Sequence, residues 1–386
     1  MVRRPVLSSR LAGLGTTIFA EMSALAVATG AINLGQGFPD QDGPIEVADA
    51  AVAAIRAGQN QYPPGAGIEP LREAIARHQA RFWGLQVDPA SEVLVTAGAT
   101  EAIAAAVLAL CDPGDEILAF EPTYDSYRAV AALAGARLRV VTLQPPDHAA
   151  DVEALAALVT ERTRLVLVNS PHNPTGKVFT ADELAAIARV CVAHDLIAVT
   201  DEVYEHLVFD GTHRPLATFP GMAERTVTIS SAGKTFSFTG WKIGWACGPA
   251  ELVDAVRTAK QFLTYVNGAP FQPAIAVGLG LGDDVYAELA ATLRVKRDLL
   301  CDGLRAAGFE VLVPQGTYFA TVDIRSVGAT DGLEFCRSLP DRCGVVGIPS
   351  QVFYEHPGDG RHLVRFAFCK RTEVLTEAAE RLAGLR

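Results

Sequence analysis

Short runs of β-branched and aliphatic residues recur along the chain between longer stretches with helical spacing. Among the runs are Glu92–Thr96, Glu116–Phe120, Arg164–Asn169, Leu196–Thr200 and Thr226–Ser230; Thr100–Leu110 and Ala181–His194 are two of the Ala/Leu-rich stretches between them. Near-continuous apolar runs bounded by turn formers suit strands buried on both faces, because a half-exposed strand would alternate apolar with polar residues. Strands alternating with helices predict an α/β fold, a mostly parallel central sheet covered by helices on both faces. This alternation fills residues 45–284, read as a large domain. From 285 a long helical stretch, Tyr286–Ala307, leads into a smaller α+β region ending in the strand-like Leu363–Phe368. Residues 285–386 are therefore read as a small domain, to which an arm of residues 1–44 contributes.

Composition narrows the class. The chain has 386 residues, 49% hydrophobic and 20% charged, which excludes disorder and coiled coil. With 33 Lys+Arg against 44 Asp+Glu the net charge is −11, so no global attraction draws it to nucleic acid or anionic lipid. The longest wholly apolar stretch, Ala102–Cys111, is too short to span a bilayer. The opening Met-Val-Arg-Arg is followed by no continuous apolar segment of the signal-peptide kind, so a cytoplasmic chain is expected. Seven cysteines without a C-x-x-C spacing fit reduced core thiols, and no metal is expected.

In a parallel sheet, ligands gather at the carboxyl ends of the strands, so the polar residues that follow each run carry the chemistry. After Thr226–Ser230 come hydroxyls and glycines around Lys234; a loop lysine is usually solvated, but these small and apolar neighbours could desolvate the amine and make it a Schiff-base former. Asp201 follows Leu196–Thr200. It could simply cap the next segment, or its carboxylate could serve a protonated heterocycle nitrogen. The loop Asn169-Ser-Pro-His-Asn-Pro-Thr-Gly176 follows a third strand, and Asn173 there competes between turn residue and ligand contact. Thr96-Ala-Gly-Ala-Thr-Glu101 joins a strand to a helix, where free N–H groups could hold a phosphate.

Together these segments resemble the class I/II aminotransferases of fold type I, which use pyridoxal 5′-phosphate (PLP). The resemblance rests on Ser231-x-x-Lys234 with Lys242 eight residues on, Asn173-Pro-x-Gly, Asp201 with Tyr204, Asn33–Asp40, Asn60-Gln-Tyr-Pro-Pro64 and Leu363-Val-Arg-Phe366, spread over nearly the whole chain. It implies that Lys234 carries the cofactor covalently and later acts as the base, and that Asp201 keeps the ring nitrogen protonated. Asn173 and Tyr204 would bond the phenolic oxygen, and Tyr124 would stack on the ring. Gly98, Ala99, Thr100, Ser231 and Lys242 would bind the phosphate. Tyr62 would reach the phosphate of a neighbouring subunit, which implies a homodimer. Arg365, with Gly35 and Asn173, would hold the substrate, the guanidinium clamping its α-carboxylate; an arginine on such a strand could otherwise be a surface ion pair, but its apolar neighbours suggest burial. The implied activity is ping-pong transfer of an amino group between an amino acid and a 2-oxo acid, most naturally 2-oxoglutarate.

For the substrate, Asn33–Asp40 and Ser170–Gly176 look like the kynurenine, glutamine and methionine aminotransferases. Phe19–Leu25, Asp201–Phe209, Gly240–Glu251 and Gly268–Pro273 look closer to the actinobacterial N-succinyldiaminopimelate aminotransferases of lysine biosynthesis. Thr17 is read at a position where kynurenine-type enzymes carry a pocket tryptophan. A PLP-dependent cysteine-conjugate β-lyase shares the same constellation and differs in oxo-acid dependence. A PLP-binding transcriptional regulator would need a basic helix-turn-helix extension, and no such segment precedes the large domain.

Overall fold

A computed structural model describes residues 6–15 and 17–385. Its strands in chain order are β1 (Ile32–Asn33), β2 (Val93–Thr96), β3 (Glu116–Glu121), β4 (Arg137–Thr142), β5 (Thr163–Asn169), β6 (Ile197–Asp201), β7 (Thr226–Ser231), β8 (Gly244–Cys247), β9 (Glu310–Leu312), β10 (Phe319–Asp323), β11 (Val345–Val346), β12 (Ile348–Pro349) and β13 (Leu363–Ala367). Seven of them form one sheet in the order β2-β8-β7-β6-β5-β3-β4. All run parallel except β8, which is antiparallel to both β2 and β7.

The period-2 geometry of β5 explains the continuous apolar run read from the sequence. Leu165 and Leu167 face one helical layer, with Ala102, Ala106 and Leu110 of the helix Gly98–Leu110. Val166 and Val168 face the opposite layer, with Leu184, Ile187 and Cys191 of the helix Ala181–Ala193. Both faces are dry, so each of the buried Leu, Ile and Val side chains contributes roughly 1.5–3 kcal/mol of burial. The Ala181–Ala193 helix begins with a capping box in which Thr180 accepts from the Glu183 N–H and Glu183 accepts from the Thr180 N–H.

Two details differ from the sequence reading. Asp201 and Ser231 are the last residues of their strands rather than the first beyond them. The segment after Trp241, for which the sequence reading singled out no strand, contains β8; its Trp245 is fully buried and its backbone pairs on both sides. Its short, glycine-flanked sequence carries little local strand signal, and the two neighbouring strands supply the pairing.

A second, antiparallel sheet has the order β12-β13-β10-β9, and β1 pairs with β11. Its hydrophobic cluster joins Leu34, Val322, Val364 and Phe366 to Leu300 and Leu304 of the helix Asp283–Ala306 and Leu375 of the helix Thr372–Ala383. Val203, Tyr204 and Leu207, which directly follow β6, belong to the same cluster, so the two sheets meet at the carboxyl end of β6. Among the described residues no helix is long and apolar enough to cross a membrane. All seven cysteines are free, and six are buried.

Candidate active site

The parallel strands bring Thr96, Asn169, Asp201 and Ser231 to one edge of the large sheet. Because β8 runs the other way, its amino end lies there too, with Gly244 opposite both Thr96 and Ser231. Lys242 therefore stands beside the start of the helix Gly98–Leu110. This helix begins without a side-chain cap, and its first N–H groups have no intrahelical acceptor. Gly98 has φ +73°, and a Cβ there would lie 3.1 Å from Lys242 Nζ. Lys242 itself adopts φ +54°. An ammonium at the positive end of a helix dipole is repelled unless an anion lies between them, so this corner is built for an anionic group such as a phosphate.

Asp201 is buried and has no cationic partner within 4 Å among the described residues. Its Oδ2 accepts from Tyr127 Oη at 2.6 Å, and its Oδ1 lies 3.4 Å from the Val203 N–H. Burial raises its pKa, opposed by the Tyr127 hydrogen bond. A buried carboxylate held by neutral donors has unspent capacity for a cation, as a protonated ring nitrogen would provide. Asn169 positions this corner by donating to the Asp201 carbonyl at 2.8 Å and accepting the Asn173 N–H at 2.7 Å.

The short helix Ala232–Thr235 after β7 carries Lys234. Its Nζ lies 2.7 Å from Tyr318 Oη, and desolvation brings its pKa down to about 8, so a free amine exists near neutral pH. Tyr204 is buried with its ring edge-on to Tyr318 at 5.2 Å, and burial pushes its phenol pKa up. Tyr124 is half-buried, its pKa pushed up by burial to about 12.

Arg365 is the centre of the opposite wall. Although it lies in the middle of β13 and is only 1% exposed, no carboxylate lies within 4 Å among the described residues. Nη1 donates to Asn173 Oδ1 at 2.8 Å and Nη2 to the Gly35 carbonyl at 3.3 Å, while Nε is buried without a partner. The guanidinium stacks on Phe319 at 3.9 Å, with Phe353 at 5.0 Å and Phe19 at 5.3 Å. Desolvation lowers its pKa to about 10, which leaves it charged at neutral pH. A desolvated cation with spare donors is a site for a carboxylate supplied by a ligand.

Eleven residues singled out in the sequence, Gly98, Ala99, Thr100, Tyr124, Asn173, Asp201, Tyr204, Ser231, Lys234, Lys242 and Arg365, line one cavity of about 360 Å³. Gly35 touches it only through its carbonyl on Arg365. Tyr62 lies outside, 82% exposed, with its ring against Tyr265. Thr17 caps a helix through its side chain, and it is Phe19, two residues on, that lines the cavity. Sequence reading missed Tyr127, Tyr318 and the aromatic cage of Phe19, Phe319 and Phe353. Each looks like an ordinary core aromatic in its own segment; Asn169 alone carried a signal, as the polar last residue of a buried strand.

An anion corner, a buried carboxylate, a desolvated lysine and an unpaired arginine around one cavity fit a phosphate, a basic ring, an aldehyde and a substrate carboxylate respectively. Comparison with known proteins agrees. The family model for aminotransferase class I and II matches residues 29–382. The chain is 56% identical to a probable N-succinyldiaminopimelate aminotransferase of Mycobacterium tuberculosis over 98% of each chain, and 42% identical to an Escherichia coli methionine aminotransferase over the full length of both. Of solved structures, the M. tuberculosis N-succinyldiaminopimelate aminotransferase superposes with a TM-score of 0.97 at 57% identity, covering 98% of this chain and all of that one. With the match spanning both sheets and the cavity between them, the chain belongs to the class I and II aminotransferases, enzymes of this fold that depend on PLP.

Proposed function

We propose that this aminotransferase acts on N-succinyl-LL-diaminopimelate with 2-oxoglutarate, within lysine biosynthesis, and works as a cytoplasmic homodimer. The observation that carries the amino-acid chemistry is Arg365, a buried guanidinium with an unused Nε in the same cavity as the desolvated Lys234. For the substrate, the support is the 56% identity to the M. tuberculosis relative, against 42% for the methionine enzyme. Tyr62 and Tyr265 pack against each other and, like Phe262, are exposed large aromatics of the kind that a second subunit would cover.

In this assignment Lys242, Ser231 and the N–H groups of Gly98, Ala99 and Thr100 would hold the cofactor phosphate. Asp201, oriented by Tyr127, would hold the ring nitrogen, Asn173 and Tyr204 would bond the phenolic oxygen, and Tyr124 would stack on the ring. When bound, PLP supplies an electron sink that stabilises negative charge developing at the substrate Cα. Arg365 fixes the α-carboxylate, and the stacked Phe319 holds the guanidinium plane in place. Lys234, with its lowered pKa, accepts the Cα proton and returns it on the other side of the transfer.

The test is a half-reaction screen on the purified holoenzyme. Single amino acids, including N-succinyl-LL-diaminopimelate, methionine, glutamine and kynurenine, are added and the cofactor's visible band is followed. The succinylated compound is expected to discharge the band fastest, with recovery on adding 2-oxoglutarate. Discharge by methionine, glutamine or kynurenine alone would move the protein to that substrate group.

A further inference from the structure

Lys234 does not stand alone in the cavity wall. Its Nζ donates to Tyr318 Oη at 2.7 Å and approaches the Gly37 carbonyl at 3.4 Å, and Tyr318 Oη itself donates to that same carbonyl at 2.5 Å. Counting hydrogens decides how this triangle works. The phenol has a single proton and the Gly37 carbonyl can only accept; with that proton given to Gly37 at 2.5 Å, the phenol oxygen is left to accept from the lysine. A neutral primary amine has two N–H bonds and one lone pair. With one N–H on Tyr318 and the other on Gly37, the lone pair is directed away from both acceptors, and the Lys234 side chain lines the cavity that also holds Asp201 and Arg365.

Both acceptors are rigidly held. Tyr318 is buried, edge-on to Tyr204 at 5.2 Å and to Phe319 at 4.8 Å, and burial keeps its phenol protonated. Gly37 is pressed against the same ring, since a Cβ there would lie 2.5 Å from Phe319 Cζ. Phe319 also stacks on Arg365 at 3.9 Å, so one aromatic ring sets the carboxylate clamp and the carbonyl that orients the base.

We propose that Tyr318 is a positioning residue: with the Gly37 carbonyl it turns the lone pair of free Lys234 towards the substrate Cα–H. This rests on the assignment of Lys234 as the proton carrier. When the Cα–H bond breaks, its electron pair would stay on the substrate, with bound PLP supplying the electron sink, and the proton becomes the third N–H of Lys234, from which it is returned to the reacting skeleton.

Tyr318→Phe tests this, because the ring packing survives and only the hydroxyl is lost. Single-turnover kinetics of the holoenzyme are expected to show a rate at least tenfold lower, unchanged apparent substrate affinity, and a larger isotope effect with Cα-deuterated amino acid. A second readout does not depend on turnover. With the cofactor in its amine form Lys234 is unattached, and its acylation by acetic anhydride can be followed against pH by mass spectrometry. Losing an acceptor that favours the ammonium should lower the labelling midpoint. A slower reaction despite a larger fraction of free amine is the signature of lost orientation. An unchanged rate and isotope effect, or an unchanged labelling midpoint, would overturn the proposal. Failure of the Lys234 assignment would instead appear as proton transfer surviving in Lys234→Ala.

Discussion

Replacing Arg365 by lysine keeps a cation on β13 but removes the planar fork. In the free enzyme Nη1 and Nη2 are already oriented by Asn173 and Gly35 and stacked on Phe319, so the guanidinium meets a carboxylate without rearranging. An ammonium can offer one strong bond where the fork offers two. Losing one charge-assisted hydrogen bond costs about 1.5–3 kcal/mol, which converts to a roughly 10- to 150-fold weaker affinity. Desolvation adds to this. It lowers the arginine to about 10, still charged at pH 8; a lysine in the same place starts lower and loses part of its charge there. The affinity of Arg365→Lys should therefore recover partly as pH falls from 8 to 6.5, where the wild type stays flat. The assay is the dissociation constant from saturation of the half-reaction, measured with an amino acid, its 2-oxo acid and the corresponding amine without a carboxylate. Affinity for the first two should fall, cofactor content should be unchanged, and the amine should not discriminate between wild type and variant. Equal affinity for the acids, or equal loss for the amine, would move the carboxylate site away from Arg365.

Four further outcomes are expected. Lys234→Ala should lose the visible cofactor band and transamination together, and a variant retaining both would refute the role of Lys234. Tyr127→Phe removes the 2.6 Å donor to Asp201, raises the already elevated carboxylate pKa further, and should loosen cofactor retention about tenfold, the low end of what one hydrogen bond to a charged group is worth because the effect reaches the cofactor only through Asp201; cofactor dissociation followed by absorbance checks it. Gly98→Ala forces φ +73° on a residue with a Cβ, at about 1–2 kcal/mol, and pushes that Cβ towards Lys242 Nζ, so thermal stability and cofactor affinity should fall together. Lys234 gains its proton as pH falls through about 8, so the rate of proton transfer should rise with pH below that value and level off above it; a profile flat from pH 6 to 9 would contradict a lysine base.

Much of this site is written locally. Asn173, Asp201, Ser231 and Lys234 follow or end apolar runs that could only be buried strands, and parallel strands bring their carboxyl ends to one edge, so sequence order alone gathers them. The glycine of the strand-to-helix turn at Gly98 is legible in the same way. Beyond that edge, neighbours along the chain stop being neighbours in space. Lys242 reaches the anion corner because β8 reverses direction between β2 and β7, a pairing that its own residues barely signal. Tyr127 reaches Asp201 from a helix 74 residues earlier, and Tyr318 reaches Lys234 from the residue just before β10 of the second sheet, 84 residues on. The electrostatics likewise belong to the folded state. Arg365 sits in an apolar run that hints at burial, but its lack of a carboxylate and its stacking on Phe319 follow from how β13, β10 and the Gly35–Gly37 segment close over it. A hydrophobic pattern specifies which residues leave water; which polar groups then find each other, and which are left waiting for a ligand, depends on long-range packing that no local pattern encodes.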